Sequence, residues 1–315
     1  MSTRPKRSPR AVLLPPLIRL AETVPAPMVR RMRGPVAALL SRVPGWHNRV
    51  ATNMRAALGE ERYRPEHIRR YFDHLGELFC NAALVYRYGI AGAGLGSRWT
   101  ADNRSETLFR AAAAQGKGAV MVCPHLIGHE IMAGIVAHEL PVTALVRKSP
   151  DEAYEALKQR WYAALEVEVC YRPTGNSAVQ GMAELTAALR PLRKGRILAL
   201  TPDLLQRSGT GIPVRLFGRK AELPAGPFFL AARTGAPFFP SFFVEEEGGY
   251  RLYTHEPLEF PPEMEREAAL AAAAQQWAEL FEEYVREHPD MWQFWLDTKW
   301  TRWLQRSGRA RGGTE

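Results

Sequence analysis

Hydrophobic and polar residues follow two different rhythms along this chain. Up to about residue 88, apolar side chains recur at helical spacing, as at Tyr71, Leu75 and Leu78, which predicts helices over 47–88. From residue 118 onward, short apolar runs bounded by glycine or proline alternate with amphipathic stretches, which predicts buried strands separated by helices. The glycine-rich segment 89–99 between the two regions is predicted to be a loop.

The alternating region predicts the fold class. Strands are expected at 118–123, 141–147, 166–171, 196–202, 214–218, 237–244 and 250–256, and helices at 128–139, 151–165, 176–193, 225–235 and 263–287. This order predicts an α/β fold with a mostly parallel central sheet flanked by helices on both faces, together with an α-helical N-terminal region. The strand at 250–256 alternates apolar and polar residues, so we expect it near an edge of the sheet.

The positive charge is concentrated at the N-terminal end. Residues 1–50 contain ten arginines or lysines and one glutamate, so this segment accounts for the whole formal net charge of +9. Such a basic segment is suited to a polyanion, namely nucleic acid, anionic lipid or an acidic carrier protein. Apolar residues between the arginines favour lipid. The alternative is a helix that packs on the folded domain with its basic residues facing solvent.

A membrane-spanning helix is not predicted in this segment. Pro15, Pro16 and Arg19 interrupt the first apolar run well before the ~20 apolar residues that a transmembrane helix needs. No cleavage site follows a clean apolar stretch, so a signal peptide is not predicted either. We therefore expect residues 1–46 to form a basic, apolar-punctuated segment that lies on an anionic membrane surface.

Neither a metal nor another cofactor is predicted. The three cysteines, Cys80, Cys123 and Cys170, have no CxxC spacing and suggest neither a disulfide framework nor a zinc site. The segment HEIMA that begins at His129 is not the H-E-x-x-H pattern of zinc proteases. Nucleic-acid binding is disfavoured because no known reader motif accompanies the basic segment.

The segment GKGAVMVCPHLIGHE holds the residues with the clearest chemistry. His125 follows a predicted buried strand, and Glu130 falls in the first turn of the next predicted helix, an H-x4-E spacing. An imidazole held by a carboxylate can take a proton from an alcohol, which suits direct acyl transfer from a thioester to a hydroxyl. His129 stands beside Glu130, but adjacent helical residues point in different directions, so these two are not a natural pair. A purely structural role for His125 remains the alternative.

Several further motifs occur in a fixed order. They are TALVRK, which ends at Lys148; LRKGRILALTPDLLQRSGTGIPVRLFG, with its Pro202–Asp203 pair; ELPAGPFFLAARTGAPFFPSFF; and HPDMWQFW. Together with the H-x4-E segment, they resemble the late acyltransferases of lipid A biosynthesis, the lauroyl and myristoyl transferase family. The resemblance runs from about residue 45 to residue 303.

This resemblance implies a function and a set of site residues. Members transfer an acyl group, usually from an acyl carrier protein thioester, to a glycolipid hydroxyl at the cytoplasmic face of the bacterial inner membrane. Carried over to this chain, the family pattern makes His125 the catalytic base and Glu130 its partner. Arg147 and Asp203 fall at family positions near the site and are expected to bind substrate, and Lys148 is a weaker candidate beside Arg147.

The resemblance also defines a domain division and leaves some choices open. Residues 47–306 are expected to form the acyltransferase domain and residues 307–315 a disordered tail. The N-terminal segment lacks a clear anchor helix, so we expect a peripheral or monotopic protein. FWLDTKW, with Asp297, replaces a basic segment of the family, so acceptors other than lipid A stay open, and so does a CoA donor. A non-catalytic lipid or carrier-protein binder on the same scaffold is the alternative function.

Two aromatic groups have alternative interpretations. Trp292, Trp295, Trp300 and Trp303 form either an aromatic belt at a membrane interface or part of the core. The phenylalanine pairs at 228–229, 238–239 and 242–243 either line an acyl-chain tunnel or pack as ordinary core.

Overall fold

The computed structural model of the chain describes residues 15, 16, 18, 19, 22–172, 178–261 and 263–306, with the side chains of 172 and 178–185 left aside. Most of the first 21 residues of the predicted membrane-surface segment 1–46 and the predicted tail 307–315 lie outside these residues. The division into 1–46, 47–306 and 307–315 therefore stays a prediction.

The N-terminal region is helical, as predicted. Its helices are α1 (Ala26–Arg31), α2 (Arg33–Ser41), α3 (Trp46–Leu58) and α4 (Pro65–Gly92). Helix α2 crosses α4 at Gly76, where a Cβ atom would lie 2.6 Å from the carbonyl oxygen of Arg33. Only glycine permits this close approach, so the helical part of the N-terminal segment packs on the rest of the chain.

The predicted loop from residue 89 is only partly correct. Gly89 has a positive φ of 69° and kinks α4, but the helix continues beyond it to Gly92. Within the described residues, no helix is both long enough and apolar enough to cross a membrane.

The remaining elements alternate between strands and helices. The strands are β1 (Trp99–Ala101), β2 (Ala119–Val122), β3 (Val142–Arg147), β4 (Glu168–Arg172), β5 (Ile197–Leu200), β6 (Ile212–Leu216), β7 (Arg219–Leu223), β8 (Phe238–Glu246) and β9 (Gly249–Thr254). The helices are α5 (Asn103–Ala114), α6 (His129–Glu139), α7 (Glu152–Ala164), α8 (Ala178–Arg193), α9 (Gly226–Thr234), α10 (Arg266–Glu287) and α11 (Thr298–Arg306). Two short 3₁₀ helices, Pro289–Met291 and Gln293–Leu296, lie between α10 and α11.

The described strands form a seven-stranded sheet in the order β1-β9-β8-β2-β5-β3-β4. All neighbouring pairs are parallel except β8 and β9, which form a hairpin through Glu247 and Gly248. Both of these turn residues have positive φ, as a two-residue hairpin turn requires. Strand β9 lies beside the edge strand β1, and β6 and β7 form a separate antiparallel pair. The predicted α/β class with a mostly parallel sheet is confirmed.

Both faces of the sheet are covered. All four residues of β2 are buried, and successive strand side chains point to opposite faces, so elements must pack on each side. Among the tryptophans of the last described segment, Trp292, Trp295 and Trp300 are at most 1% exposed, so these three belong to the core rather than to an aromatic belt. Five of the six phenylalanines between residues 228 and 243 are buried as well, which supports the core interpretation of that group.

Candidate active site

The site forms where two neighbouring parallel strands end. Strands β2 and β5 pair from Ala119 with Ile197 to Val122 with Leu200. Because parallel strands end at the same edge, the residues that follow them, including His125 and Asp203, emerge side by side. The strand order therefore explains how two segments distant in sequence meet.

His125 and Asp203 make two hydrogen bonds. The Nδ1 atom of His125 lies 2.6 Å from Oδ1 of Asp203, and the backbone N–H of His125 donates to Oδ2 at 2.9 Å. A carboxylate accepts, so Nδ1 is the donor and Nε2 of the neutral ring is left as an acceptor. The side chain of Asp203 is fully buried, whereas that of His125 is 20% exposed. The imidazole is thus held by a buried carboxylate and is itself partly exposed.

The Asp203 carboxylate is kept ionised by its surroundings. Burial raises the pKa of Asp203, but the His125 charge and hydrogen bonds from His125 and Trp292 outweigh burial and lower the pKa below its usual value. The indole Nε1 of Trp292 donates to Oδ2 of Asp203 at 3.0 Å. A buried carboxylate with three donors is well suited to orient an imidazole and to stabilise its protonated form.

A segment late in the chain closes over this pair. Residues 289–297, which we call the clamp segment, contain the two 3₁₀ helices. The backbone N–H of Gln293 donates to the carbonyl oxygen of His125 at 2.9 Å. The ring of Phe294 stacks on the His125 imidazole, with 4.3 Å between ring centroids and 28° between planes. Together with Trp292, these contacts hold both the backbone and the ring of His125.

Glu130 lies in the first turn of α6, as predicted, but its hydrogen bonds run to α7. Its Oε2 atom accepts from Nε1 of Trp161 at 2.8 Å, and its Oε1 atom accepts from the hydroxyl of Tyr162 at 2.6 Å. The observed carboxylate partner of the His125 ring is therefore Asp203 rather than Glu130. The catalytic role of Glu130 stays a prediction.

His129 lies next to His125 at the start of α6. Its ring centroid is 5.1 Å from that of His125, and its Nδ1 atom is 2.9 Å from the carbonyl oxygen of Leu126. Burial, and then the nearby His125, lower the pKa of His129, which favours its neutral form. The ring of His125, in contrast, is hydrogen-bonded to the Asp203 carboxylate.

Arg147 and Lys148 lie at the end of β3, at the same edge of the sheet. Both are exposed, and the backbone oxygen of Arg147 accepts a hydrogen bond from Lys158. Since β3 pairs with β5, these basic residues and Asp203 leave adjacent strands. Their predicted substrate-binding roles stay predictions. Among the described residues, no group of three or more histidine, cysteine, aspartate or glutamate side chains could hold a metal ion.

Sequence reasoning placed His125 and Asp203 in the site but did not pair them. It also overlooked the contacts of Gln293 and Phe294 with His125 and of Trp292 with Asp203. The available signal was positional: Asp203 follows a predicted buried strand just as His125 does, and HPDMWQFW was recognised as a motif.

The sequence places the protein in a known class. The sequence model of the bacterial lipid A biosynthesis acyltransferase family matches residues 12–302, and the chain belongs to this family. A phosphatidylinositol mannoside acyltransferase of Mycolicibacterium smegmatis is 30% identical over 206 residues, which cover 63% of this chain and 62% of that protein. Proteins of the same name from two strains of Mycobacterium tuberculosis are 28% identical over 204 residues, 64% of this chain and 60% of theirs. The matched region thus spans about three fifths of the length of these relatives.

Proposed function

We propose that this chain is an acyltransferase that moves a fatty acyl group from a thioester to a hydroxyl of a lipid or glycolipid, with His125 as the general base. The observation that carries the proposal is the 2.6 Å contact between Nδ1 of His125 and the buried Asp203 carboxylate. It leaves Nε2 as the only proton acceptor of a ring that is partly exposed.

The reaction follows from this arrangement. Nε2 of His125 takes the proton of the acceptor hydroxyl while the hydroxyl oxygen attacks the thioester carbonyl carbon. The tetrahedral intermediate then collapses, the carbon–sulfur bond breaks, and the leaving thiolate takes the proton from the imidazolium. The products are an ester and a free thiol. Asp203 keeps the ring in the reactive tautomer and stabilises the imidazolium between the two proton transfers.

The expected pairing of His125 with Glu130 is revised in this proposal. The hydrogen bonds support Asp203 as the residue that orients the base. We assign Glu130 to holding the start of α6 against α7 through Trp161 and Tyr162, which fixes the helix that follows the base.

The acceptor is proposed to be a glycolipid with a phosphate in its headgroup. The relatives named phosphatidylinositol mannoside acyltransferase support this class. The exposed Arg147 and Lys148 at the same sheet edge provide charges for a phosphate on the acceptor or on the donor. Acyl carrier protein is the proposed donor, and CoA carries the same type of thioester.

The test is a transfer assay with purified protein. Acyl carrier protein and CoA thioesters are each combined with a lipid A precursor, a phosphatidylinositol mannoside or phosphatidylinositol. We expect one acceptor to gain the mass of one acyl chain as free thiol is released. His125→Ala should abolish the reaction, whereas His138→Ala, at an exposed position of helix α6, should not. Undiminished turnover in His125→Ala would contradict the proposal, and acceptor binding without transfer from either donor would support the non-catalytic alternative.

We further propose that the protein works at the surface of the inner membrane, on its cytoplasmic face. Helices α1 and α2 and the residue between them expose Met28, Met32 and Leu39, whose exposed fractions are 56%, 42% and 69%. Arg31, at the end of α1, and Arg42, directly after α2, are exposed too. Apolar side chains beside arginines are suited to an anionic lipid surface.

A further inference from the structure

Polar side chains of α4 form hydrogen bonds with the clamp segment. The Oδ2 atom of Asp290 accepts hydrogen bonds from Nε of Arg70 at 2.7 Å and from Nε2 of His74 at 3.0 Å. The hydroxyl of Tyr71 donates to the carbonyl oxygen of Gln293 at 3.0 Å. Arg70 and His74 are four residues apart and therefore share one face of the helix.

The side chains of Asp290 and His74 lie in the interior, whereas that of Arg70 is 46% exposed. Asp290 and His74 are each 4% exposed. Burial raises the pKa of Asp290, but hydrogen bonds and charges of His74 and Arg70 outweigh burial and lower the pKa to about 2. At neutral pH a buried carboxylate therefore faces α4, and it requires its donors there because an unpaired buried charge is strongly unfavourable.

His74 is itself fixed on its other side. Its Nδ1 atom lies 3.0 Å from the hydroxyl oxygen of Tyr250, and that hydroxyl donates to Oε2 of Glu77 at 3.1 Å. Glu77 is 1% exposed and pairs with Arg33 at 2.7 Å and with Arg98 at 2.9 Å. The ring of His74 is thus held at both nitrogens, which gives α4 a rigid point of attachment for the clamp segment.

The opposite side of the clamp segment contacts the base and its partner. Trp292, two residues after Asp290, donates to Asp203, and Gln293 donates to the carbonyl oxygen of His125. The connection between Asp290 and Trp292 is a single 3₁₀ turn, so a displacement of Asp290 moves Trp292 with it.

We propose that His74 and Asp290 are positioning residues for acyl transfer, which fix the clamp segment so that Trp292 and Gln293 keep Asp203 and His125 aligned. The kinetic part of this inference rests on the proposed function. Neither residue is exposed enough to touch a substrate, so their effect must pass through the clamp segment. The competing interpretation is that the same contacts only stabilise the fold.

The first measurement separates turnover from stability. Asp290→Asn and His74→Leu should lower kcat at least tenfold while KM for the thioester stays within about twofold. His74→Gln should regain most of the lost kcat because its side-chain amide can still donate to Asp290. Asn81→Ala is the matched control: it removes a buried polar side chain from the same helix, and Asn81 has no described hydrogen bond to His74 or to the clamp segment, so its kcat should stay within about twofold of wild type.

The second measurement does not depend on activity. The proton on Nδ1 of His125, in its 2.6 Å contact with Asp203, should give a downfield imidazole resonance in the proton NMR spectrum of the full chain, identified by its loss in His125→Ala. We expect this resonance to shift or disappear in Asp290→Asn and His74→Leu, and to persist in His74→Gln and Asn81→Ala. A chain without transferase activity would still give this result, so failure of the proposed function is distinguishable.

Two outcomes would overturn the inference. One is wild-type kcat and an unchanged His125 resonance in folded Asp290→Asn and His74→Leu, even if their Tm is lower. The other is an equal loss of kcat and of the resonance in Asn81→Ala. If Asp290→Asn does not fold, the comparison of His74→Leu with His74→Gln, at equal folded fraction by circular dichroism, decides the question.

Discussion

A single buried carboxylate, that of Asp203, receives hydrogen bonds from the backbone and ring of His125 and from the indole of Trp292. The two oxygens of a carboxylate can accept all of these bonds together. A side-chain amide of the same shape cannot, because it has one oxygen and presents N–H groups to the remaining donors. The charge of Asp203, not merely its size, therefore matters to the orientation of His125.

Asp203→Asn is accordingly expected to lower kcat by at least ~10²-fold, the usual scale of general-base catalysis. The measurement is the rate of thiol release in the transfer assay. Asp102→Asn serves as the control. The Asp102 side chain also accepts a hydrogen bond, as the N-cap of α5, but it has no described contact with His125. Near-normal turnover in Asp203→Asn would remove Asp203 from the proposed mechanism.

Asp290 gives a prediction about stability and pH. Its folded-state pKa of about 2 lies below the ordinary value of 3.8, so its stabilisation is present above about pH 4 and is lost as the pH falls towards 2. The difference in free energy of unfolding between wild type and Asp290→Asn should shrink by about 1 kcal/mol from pH 6 to pH 3.

Urea denaturation at each pH measures this difference. Glu256→Gln is the control, because Glu256 is largely exposed and its difference from wild type should change little. If the difference in free energy of unfolding between wild type and Asp290→Asn stays constant with pH, the charge of Asp290 does not contribute to stability.

The partner of His125 could not be read from neighbouring residues. Asp203 lies 78 positions away, and the two meet only because β5 is placed next to β2. Strand order is a property of the whole sheet and leaves no local signal. Glu130 was the carboxylate close in sequence, but the first turn of α6 directs it towards α7, and only packed coordinates show that direction.

At the level of elements, the start of α6 depends on Gly128. This residue has a φ of +93°, and a Cβ atom there would lie 2.4 Å from the ring of Trp99. Trp99 is 2% exposed, so it has little room to move aside. Glycine at position 128, two residues before Glu130, therefore permits both the left-handed backbone conformation and the close approach of a buried ring.

Gly128→Ala should lower the free energy of unfolding by more than the strain of a positive φ alone would. At Gly195, which has a φ of +70° and no atom within 4 Å of the place that a Cβ atom would take, alanine should cost about 1 kcal/mol. At Gly128 the added collision should bring the cost to roughly 2–4 kcal/mol. Thermal and urea denaturation of the two variants provide the comparison, and equal costs would contradict the predicted collision.

The alternating elements were largely predictable because buried parallel strands are short apolar runs between glycine or proline residues. β1 was overlooked because it has three residues, and β7 because RKAEL is mostly polar. The 3₁₀ helices of the clamp segment carry no periodicity long enough to detect. Their positions depend on contacts with α4 and with the site, which form only in the folded chain.

On the scale of the whole molecule, the proposed membrane face predicts salt-sensitive binding. Each arginine near an anionic surface contributes about 1 kcal/mol, so replacing Arg31 and Arg42 by glutamine should weaken binding to phosphatidylserine vesicles by about 30-fold at low salt. Salt should reduce wild-type binding as well, since exposed charges are screened within ~8 Å at physiological ionic strength.

Vesicle co-sedimentation at several salt concentrations measures both effects. Arg306→Gln, at the end of α11, is the control for a loss of charge outside α1 and α2 and should bind nearly as wild type does. Salt-independent binding would instead indicate hydrophobic insertion through Met28, Met32 and Leu39.

The clamp segment also has a consequence for biosynthesis. His125 leaves the ribosome first, Asp203 follows 78 positions later, and Trp292 a further 89 positions after that. At ~5–20 residues per second, translation takes on the order of ten seconds or more to proceed from His125 through Asp203 to Trp292. A nascent chain therefore lacks the complete set of hydrogen bonds around His125 and Asp203 until residue 292 has been translated, and a chain that terminates earlier never forms it.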